Sequence, residues 1–366
     1  MPIVAHAYQF VIGVDTHART HTLSILTTAT GAVVDEGQFP ATVAGMTRAI
    51  AWVGRRTNGD LATLWVIECV GSYGARLASA ARQAGYEPVE AARMDARANR
   101  GVGKSDPLDA RRIAAAVLPL ELDRLRNPRQ DEGVRAALRV LVTARDQMTT
   151  ERTATINALT ALLRAYALGS DARKALTGAQ IAEVAKWRAR AEDIAIHIAR
   201  AEAIRLAKRI IALSEDIAQN TTTTTQLIQQ SPAKVLLDKV GVGPVTAAVV
   251  MTAWSHEGRL RDEAAFASLA GVNPIPASSG NTVRHRLNRG GDRRLNRALH
   301  MAVITRMTHD PETRAYVVRR RAEGRTTREI RRILKRYLAR QLFRLLNTTA
   351  SGTTALQPAT GRLDKT

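Results

Sequence analysis

The amino-acid sequence predicts an α/β domain followed by a longer, mainly helical part. Strand and helix signals alternate over the first 120 residues, whereas residues 131–220 are rich in Ala, Leu, Arg and Glu and show helical periodicity. A chain of 366 residues with 45% apolar side chains is long enough for two or more packed cores. We therefore expect an α/β domain at 8–130, a long helical coiled-coil region at 131–226, a mainly helical C-terminal domain at 231–346 and a disordered tail at 347–366.

The first domain begins with three strands that are expected to form a meander. Their segments are QFVIGVDTHA, HTLSILTTAT and AVVDEGQFPA, with a turn at Gly31 before the third. There follow a helix at 43–56, a buried strand at 61–70, a helix at 73–85, a short strand at 86–92 and a helix from 104. Three meandering strands followed by alternating helices and strands are the order of an RNase H-type domain.

Helices dominate the rest of the chain. Two long helices, broken near 167–171, are expected to pack on each other or on a second subunit, and NTTTTTQ at 220–226 is typical of a low-complexity joint. Residues 235–251 have the pattern of a helix-hairpin-helix with a turn that contains Gly241 and Gly243. Glycines let the backbone approach a phosphate closely, so both are candidate nucleic-acid contacts, with a plain helical turn as the alternative.

Net charge points to a polyanionic partner. The chain carries a net charge of +21, and its pI is about 11.2, so nucleic acid, and double-stranded DNA first, is the expected partner. Residues 255–345 hold 21 Arg and Lys but only 8 Asp and Glu, more than half of the net charge. An evenly solvated basic face is the alternative. The candidate contacts are Arg284, Arg286, Arg289, Arg293, Arg294, Arg297, Arg331, Arg332 and Lys335.

Other function classes fit the composition poorly. No apolar run reaches the roughly 18 residues that span a bilayer, and MPIVAHAYQFVIGVD lacks the features of a signal peptide, so we expect no membrane partner and a cytoplasmic location. A single cysteine, Cys69, excludes an internal disulfide framework and a cysteine-rich zinc site. We expect it to be a small buried residue on a strand.

Two acids interrupt apolar runs. Asp15 ends FVIGV and Glu68 ends LWVI, and an acid in a buried strand carries a large desolvation cost unless it is paired or binds a metal. The alternative for either one is a solvent-exposed strand edge. In an RNase H-type sheet these two strands lie side by side at the centre, so the two carboxylates should lie close together.

A second acidic pair lies in KSDPLDARRIA at 104–114. Asp106 suits a helix N-cap and Asp109 the acid of a capping box, yet side chains three apart also share one helix face. If this helix crosses the two central strands, all four carboxylates converge. Because crowded carboxylates cannot all stay ionised without cations, they predict a Mg²⁺ or Mn²⁺ site for phosphoryl transfer on nucleic acid.

Two histidines follow Asp15. His17 and His21 are candidate ligands by residue type, but strand alternation would place them four apart on one face, near bases and solvent. We therefore leave them out of the predicted site.

Three segments resemble a known family. GVDTH, ECVGSYG and KSDPLDA occur in the order and at the separations of the signatures of the DEDD transposases of bacterial insertion sequences, the insertion-sequence-110 family, which includes Piv-type invertases. The resemblance covers roughly residues 10–345, with the helical middle similar in character only. It implies a RuvC-like RNase H-type domain in a nucleoid-associated bacterial enzyme. The implied Mg²⁺ ligands are Asp15, Glu68, Asp106 and Asp109.

The resemblance also points to a serine. From composition alone, Ser278 and Ser279 are ordinary loop residues, but in this family the first serine of a Ser-Ser-Gly or Ser-Thr-Gly loop after a proline is taken as the residue that attacks DNA. That position is Ser278, four residues after Pro274, with Ser279 as the adjacent alternative. Asn281 replaces a second glycine that is usual in the family, which leaves the geometry of the loop open.

The family resemblance has consequences for assembly. It implies a composite site in which the Ser278 loop comes from another subunit and forms a covalent phosphoserine link to DNA. It further implies a homo-oligomer between dimer and tetramer, and guidance by a structured bridge RNA.

Two other functions remain open at this stage. A structure-selective nuclease, like a junction resolvase, would use the four acids and water without a serine. A non-catalytic nucleic-acid-binding protein would need neither Asp15 nor Glu68.

Overall fold

The computed structural model describes residues 2–91, 103, 105–129, 132–278 and 285–354. Ser279, Arg284 and the end of the predicted tail lie outside the described residues. The chain divides into two compact units. The first comprises Met1–Gln130 and Trp254–Phe266, and the second comprises Asp131–Ala253 and Ala267–Thr366.

A five-stranded mixed sheet forms the centre of the first unit. The strand order is β3-β2-β1-β4-β5; β1 pairs antiparallel with β2 and parallel with β4. The predicted meander and the adjacency of β1 and β4 are therefore confirmed. The elements are α1 (Val4–Ala7), β1 (Phe10–Thr16), β2 (Thr20–Thr27), β3 (Val33–Pro40), α2 (Val43–Arg56), β4 (Leu64–Ile67), α3 (Ala75–Gln83), β5 (Pro88–Glu90) and α4 (Asp106–Ala115).

Strand alternation divides the core between the two faces of this sheet. Ile12 and Trp65 point to one face, in a buried cluster with Trp52 of α2 and Leu77 of α3. The opposite face holds a second cluster, in which α4 contributes its Ile113. In β1 the period of two places Val11, Gly13 and Asp15 on this second face. In β4 it places Leu64 and Val66 there, and Glu68 follows directly after the strand.

Gly13 allows α4 to lie directly on β1. A Cβ atom at Gly13 would come within 1.9 Å of the Ala110 carbonyl oxygen and 2.6 Å of the Ala114 nitrogen. Only glycine permits this approach without a shift of the helix. The first turn of α4 therefore packs close to the carboxyl end of β1.

The second unit begins with three helices. The two long ones confirm the prediction of two long helices in this region. They are α5 (Gly133–Ala165) and α7 (Ile194–Gln229), with the short α6 (Gly178–Ala185) between them. The Asn220 side chain donates to the Leu141 carbonyl, and Arg209 pairs with Glu151, so α5 and α7 run antiparallel. The first long helix ends at Ala165, with Tyr166 as its C-cap, close to the predicted interruption at 167–171.

The threonine run at 220–226 is helical, so the predicted joint is wrong. It lies inside α7, where the hydroxyls of Thr221, Thr222 and Thr223 each donate to the carbonyl four residues earlier. Thr224 is buried, and Arg145 of α5 donates to the Thr221 hydroxyl. Packing against α5 and these back-bonds outweigh the low helix propensity of threonine.

The C-terminal part of the second unit is mainly helical, as predicted. After a 3₁₀ helix at Pro232–Asp238, its elements are α8 (Pro244–Trp254), α9 (Glu263–Leu269), β6 (Pro274–Pro276), β7 (His285–Leu287), α10 (Arg293–His309), α11 (Pro311–Ala322) and α12 (Thr327–Thr354). Of the predicted helix-hairpin-helix only the second helix has the expected form, because the residues before the glycine turn are 3₁₀ rather than α.

The final helix is longer than expected. α12 continues to Thr354, so residues 347–354 of the predicted disordered tail are helical. Leu342, Phe343 and Leu346 are buried along its length, which extends the packed face towards this end. Among the described helices, none is long and apolar enough to cross a bilayer.

Candidate metal centre and cationic clefts

Asp15 and Glu68 lie next to each other where two parallel strands end. Val14 is opposite Ile67, and the Glu68 amide continues the pairing by donating to the Val14 carbonyl at 3.1 Å. The Asp15 side chain is only 8% exposed. Burial raises the pKa of both carboxyls, and the negative charge of Asp15 raises the pKa of Glu68 further. The charge and the hydrogen bond of His17 lower the pKa of Asp15 in the opposite direction.

A tight turn holds Glu68 in place. The Thr16 hydroxyl donates to the Glu68 carbonyl at 3.1 Å, and the amides of Ser72 and Gly74 donate to the Cys69 carbonyl. Cys69 has a φ of 49° and is exposed, so its expected burial on a strand is wrong. The strand ends at Ile67 and the chain turns at once, which leaves the thiol in solvent.

Asp106 and Asp109 come from the first turn of α4. Ser105 is the N-cap, so Asp106 is the first helical residue and not the cap we predicted. Asp109 is largely buried and accepts a hydrogen bond from Arg112 at 3.1 Å. Negative charge at both positions raises the pKa of Asp15, and the charge of Asp109 raises that of Glu68. We call these four residues, Asp15, Glu68, Asp106 and Asp109, the acid cluster.

His17 belongs to the same site, although the sequence analysis left it out. β1 ends at Thr16, so His17 lies in the turn before β2 and not on a strand face. Its Nε2 atom is 3.1 Å from Asp15 Oδ2 and 3.6 Å from Asp106 Oδ1. The three atoms form a group with the spacing of metal ligands. His21 lies on β2 and is buried. The sequence signal for His17 was its position two residues after Asp15.

The donor set of this site fits a divalent cation. Carboxylate oxygens are the ligands that Mg²⁺ and Mn²⁺ prefer, and the acid cluster supplies them from two strand ends and one helix. Burial, and then neighbouring negative charge, raises the pKa of Asp15 and Glu68, so a bound cation would relieve an electrostatic cost of the fold. Carboxylates so arranged can support phosphoryl transfer.

Cationic side chains line two adjoining clefts in the second unit. The first cleft, about 490 Å³, lies between the β6–β7 hairpin and α12, and the second, about 560 Å³, lies beside the start of α10. Arg332 and Lys335 line both clefts. Of the other predicted contacts, Arg286 lines the first, and the second is lined by Arg289, Arg293, Arg297 and Arg331.

Few anions balance these clefts. Of the described residues that line them, only Asp292 and Glu329 are acidic; both accept backbone hydrogen bonds at helix starts, and Glu329 also pairs with Arg325 at 3.7 Å. The buried Nε of Arg331 has no hydrogen-bond partner among the described residues. Burial, and then the charges of Lys335 and Arg331, lowers the pKa of His300. Three further arginines of the first cleft, Arg320, Arg325 and Arg340, were not predicted from the sequence, because their alignment depends on the folding of α11 and α12.

Some of the residues predicted to contact nucleic acid already form ion pairs or packing contacts within the protein. Asp146 of α5 pairs with Arg294 at 2.6 Å and with Arg297 at 2.5 Å, so one carboxylate neutralises part of this basic segment. Gly241 has a φ of 81°, and a Cβ atom there would come within 2.5 Å of the Ala302 carbonyl of α10. Packing against α10 therefore requires glycine at this position, whether or not Gly241 contacts nucleic acid. At Gly243 a Cβ atom would meet open space.

Ser278 is exposed and lies two residues after β6. β6 and β7 pair antiparallel, with Pro276 opposite His285, so Ser278 begins the connection between the two strands. The acid cluster belongs to the first unit and Ser278 to the second.

Comparisons with known proteins identify both regions. Residues 12–168 match the model of IS110-type DEDD transposases, described as a transposase, and residues 233–318 match the model described as the transposase IS116/IS110/IS902 family. The chain is 28% identical to the uncharacterized 42 kDa protein of insertion element IS900 from Mycobacterium paratuberculosis, over 69% of this chain and 73% of that protein. It is also 28% identical to the uncharacterized 43.6 kDa protein of insertion element IS110 from Streptomyces coelicolor, over 77% of this chain and 81% of that protein.

Proposed function

Because the chain belongs to the insertion-sequence-110 family of DEDD transposases, we propose that it cuts and rejoins DNA with the help of Mg²⁺ or Mn²⁺ held by the acid cluster. The approach of Asp15 and Asp106 to each other, with Glu68 next to Asp15 where β1 and β4 end and Asp109 on the first turn of α4, supports this proposal. A cation bound there would neutralise a phosphodiester and stabilise the entering and leaving oxygens.

The strands and α4 hold the acid cluster ready for this role. Asp15 is fixed by a fully buried strand, and Glu68 by the turn at Cys69. Asp109 is oriented by its hydrogen bond from Arg112. Fixed carboxylates lose little freedom when they bind a cation, which favours a defined geometry for the phosphate.

We propose Ser278 as the nucleophile, with Ser279 as the alternative. The Ser278 Oγ attacks the scissile phosphorus, forms a serine–phosphate ester and releases the deoxyribose oxygen, which takes up a proton. A second deoxyribose hydroxyl then attacks the same phosphorus, rejoins DNA and regenerates the serine hydroxyl. Ser278 is exposed and follows β6, whose Pro274 lines the strongly cationic first cleft, and this supports the proposal.

A trapping experiment tests the nucleophile. Protein, labelled DNA carrying the element's ends, and Mg²⁺ are incubated, and the products are separated by denaturing electrophoresis. We expect a shifted DNA band that disappears after protease treatment and that does not form when EDTA is present during the incubation. Ser278→Ala should abolish that band and recombination, whereas Ser279→Ala should retain both.

The other outcomes have distinct meanings. Loss of the band only in Ser279→Ala would move the nucleophile to the adjacent serine. Cleavage that survives both substitutions but still needs Mg²⁺ would favour the structure-selective nuclease, in which water attacks the phosphorus. Recombination that proceeds unchanged in EDTA would contradict the metal-dependent proposal as a whole.

We further propose a homo-oligomer, between dimer and tetramer, that is guided by a structured RNA. Exposed apolar side chains on the α5–α7 pair, such as Val140 and Ile194, support the oligomer, and the two cationic clefts support an RNA partner in addition to DNA. Light scattering of the purified protein tests the first point. Recombination before and after RNase treatment tests the second; activity that survives complete removal of RNA would contradict it.

A further inference from the structure

We propose that His17 is a nitrogen ligand of the divalent cation held by the acid cluster, so that the centre contains nitrogen as well as oxygen donors. This inference depends on the metal-binding role of the acid cluster in the proposed function. It adds a residue that the four-carboxylate pattern does not include.

The distances between donor atoms support this assignment. His17 Nε2 lies 3.1 Å from Asp15 Oδ2 and 3.6 Å from Asp106 Oδ1. The donor atoms of the three residues all lie within 4.8 Å of one another. Ligand atoms at about 2.1 Å from a metal and at right angles are about 3.0 Å apart. One cation can therefore contact the three atoms after small side-chain movements.

The backbone around His17 holds the imidazole near the acids. The His17 amide donates to the Thr20 carbonyl at 2.9 Å, which closes the turn between β1 and β2. The Ala41 amide donates to the Arg19 carbonyl at 2.8 Å and ties the same turn to the end of β3. The His17 side chain is 52% exposed, so a hydrated cation can reach Nε2 without opening the fold.

A purely electrostatic role is the competing explanation. A protonated imidazole would pair with Asp15 and Asp106 and would occupy the position of a cation. A ligand must instead present an unprotonated Nε2. The two explanations differ in metal preference, because imidazole favours first-row transition metals whereas Mg²⁺ prefers oxygen ligands and water.

Pulsed electron paramagnetic resonance of the full-length protein loaded with Mn²⁺ tests the assignment directly. We expect a nitrogen hyperfine coupling typical of a coordinated imidazole in the native protein and in His6→Ala, which removes an exposed histidine of the same unit. His17→Ala and His17→Asn should both lose the coupling. Circular dichroism checks that each variant is folded. Because two different substitutions are tested, a local distortion caused by one of them would not account for the loss in both.

Equilibrium binding provides a second measurement. Loss of a first-row metal ligand should weaken Mn²⁺ binding by roughly tenfold or more in His17→Ala and weaken Mg²⁺ binding much less. Equal losses for both ions would show that His17 only positions Asp15 and would overturn the assignment. So would a native Mn²⁺ complex without nitrogen coupling.

One more variant separates this inference from the proposed function. Asp109→Asn removes a carboxylate of the acid cluster that is not in contact with His17. If Mn²⁺ binding falls in Asp109→Asn but no nitrogen coupling is present in the native protein, only the role of His17 fails. If Mn²⁺ binding is unchanged in both Asp109→Asn and Asp106→Asn, the acid cluster is not the metal site and the proposed function fails as well.

Discussion

Glu68 is half-buried next to the negative charges of Asp15 and Asp109, and no basic side chain of the described residues forms an ion pair with it within 4.0 Å. Burial and these charges raise its pKa, so the ionised form is disfavoured in the folded state. The metal-free fold therefore bears a cost at neutral pH that binding of a cation would remove. Functional sites commonly trade stability for chemistry in this way.

Glu68→Gln should stabilise the metal-free protein. Removal of the charge should raise the free energy of unfolding by about 1 kcal/mol, or the melting temperature by roughly 2–4 °C, measured in EDTA at pH 7. The same substitution should abolish the stabilisation by added Mg²⁺. A lower melting temperature for Glu68→Gln in EDTA would contradict this account.

The pH dependence of that gain has a definite sign. A carboxyl whose folded-state pKa is raised favours the folded state below its unfolded pKa, and this advantage is lost as pH rises through the folded pKa. The native protein and Glu68→Gln should therefore have similar stabilities near pH 4 and diverge towards pH 7. Thermal melts in EDTA across this range measure the difference.

Single residues of the site differed in how far sequence could predict them. Asp15 and Glu68 were predictable because an acid that ends a buried apolar run needs a physical reason. His17 was not, because its role depends on β1 ending at Thr16, and strand ends are the least certain part of a sequence-based assignment. Asp106 was predicted in the right place but with the wrong local role, since Ser105 is the cap.

At the scale of elements, the contact between β1 and α4 decides whether the acid cluster forms. Gly13→Ala should push α4 away from the strand, because its Cβ atom would overlap the Ala110 carbonyl. We expect a loss of roughly 1–3 kcal/mol in unfolding free energy and loss of the melting-temperature shift caused by Mg²⁺.

Gly54→Ala is the matched control for Gly13→Ala. A Cβ atom at Gly54 would meet only the Tyr86 hydroxyl at 3.7 Å, an ordinary contact. This variant, in α2, should keep or slightly increase stability and should respond to Mg²⁺ like the native protein. An unchanged Mg²⁺ response in Gly13→Ala would show that the position of α4 does not control the site.

The pairing of Asp146 with α10 limits the charge available to nucleic acid. Asp146→Asn should free Arg294 and Arg297, raise DNA affinity and steepen its salt dependence by about 0.9 in log–log slope for each added phosphate contact. Because the pairs are partly exposed, the effect on folding should stay below about 1 kcal/mol.

Asp171→Asn makes the same change in net charge without touching the clefts. Asp171 pairs with the exposed Arg173 in the segment between α5 and α6. Its slope in a titration of DNA affinity against salt should match that of the native protein. Equal slopes for Asp146→Asn and Asp171→Asn would show that only net charge matters, and not the release of two particular arginines.

Element prediction succeeded where one periodicity dominated. The five strands and helices α2, α3 and α4 of the first unit follow patterns that local residues determine, and the two long helices follow from composition. The threonine run failed because its helical state depends on contacts with α5 that are distant in sequence. The 3₁₀ helix at Pro232–Asp238 was also not predicted, and it packs against α12, which is distant in sequence.

At the scale of the whole molecule, the two charge systems belong to different units. The acid cluster lies in the first unit, and the cationic clefts lie in the second. Composition predicted the presence and the approximate position of the basic region, because more than half of the net charge falls in 255–345. The partition of that charge into two clefts could not be predicted, because it depends on how α10, α11 and α12 pack.

This separation predicts opposite defects from two substitutions. Asp106→Ala should abolish recombination while leaving DNA affinity within about twofold, since it lies outside the clefts. Arg332→Ala should weaken DNA binding and reduce the salt slope by about 1 while preserving stabilisation by Mg²⁺. Fluorescence anisotropy and thermal melts measure the two properties separately; if Asp106→Ala also lost DNA affinity, the two charge systems would not be independent.

Cys69 gives experimental access to this centre. It is the only cysteine of the chain, it is exposed, and it adjoins Glu68 in the turn that ends β4. Although Cys69 is exposed, partial desolvation by the surrounding protein and then the charge of Glu68 raise the pKa of its thiol, so modification by maleimide should be slower at neutral pH than in mildly alkaline buffer. A fluorophore or spin label attached there would report the arrival of cation and DNA without prior removal of competing thiols.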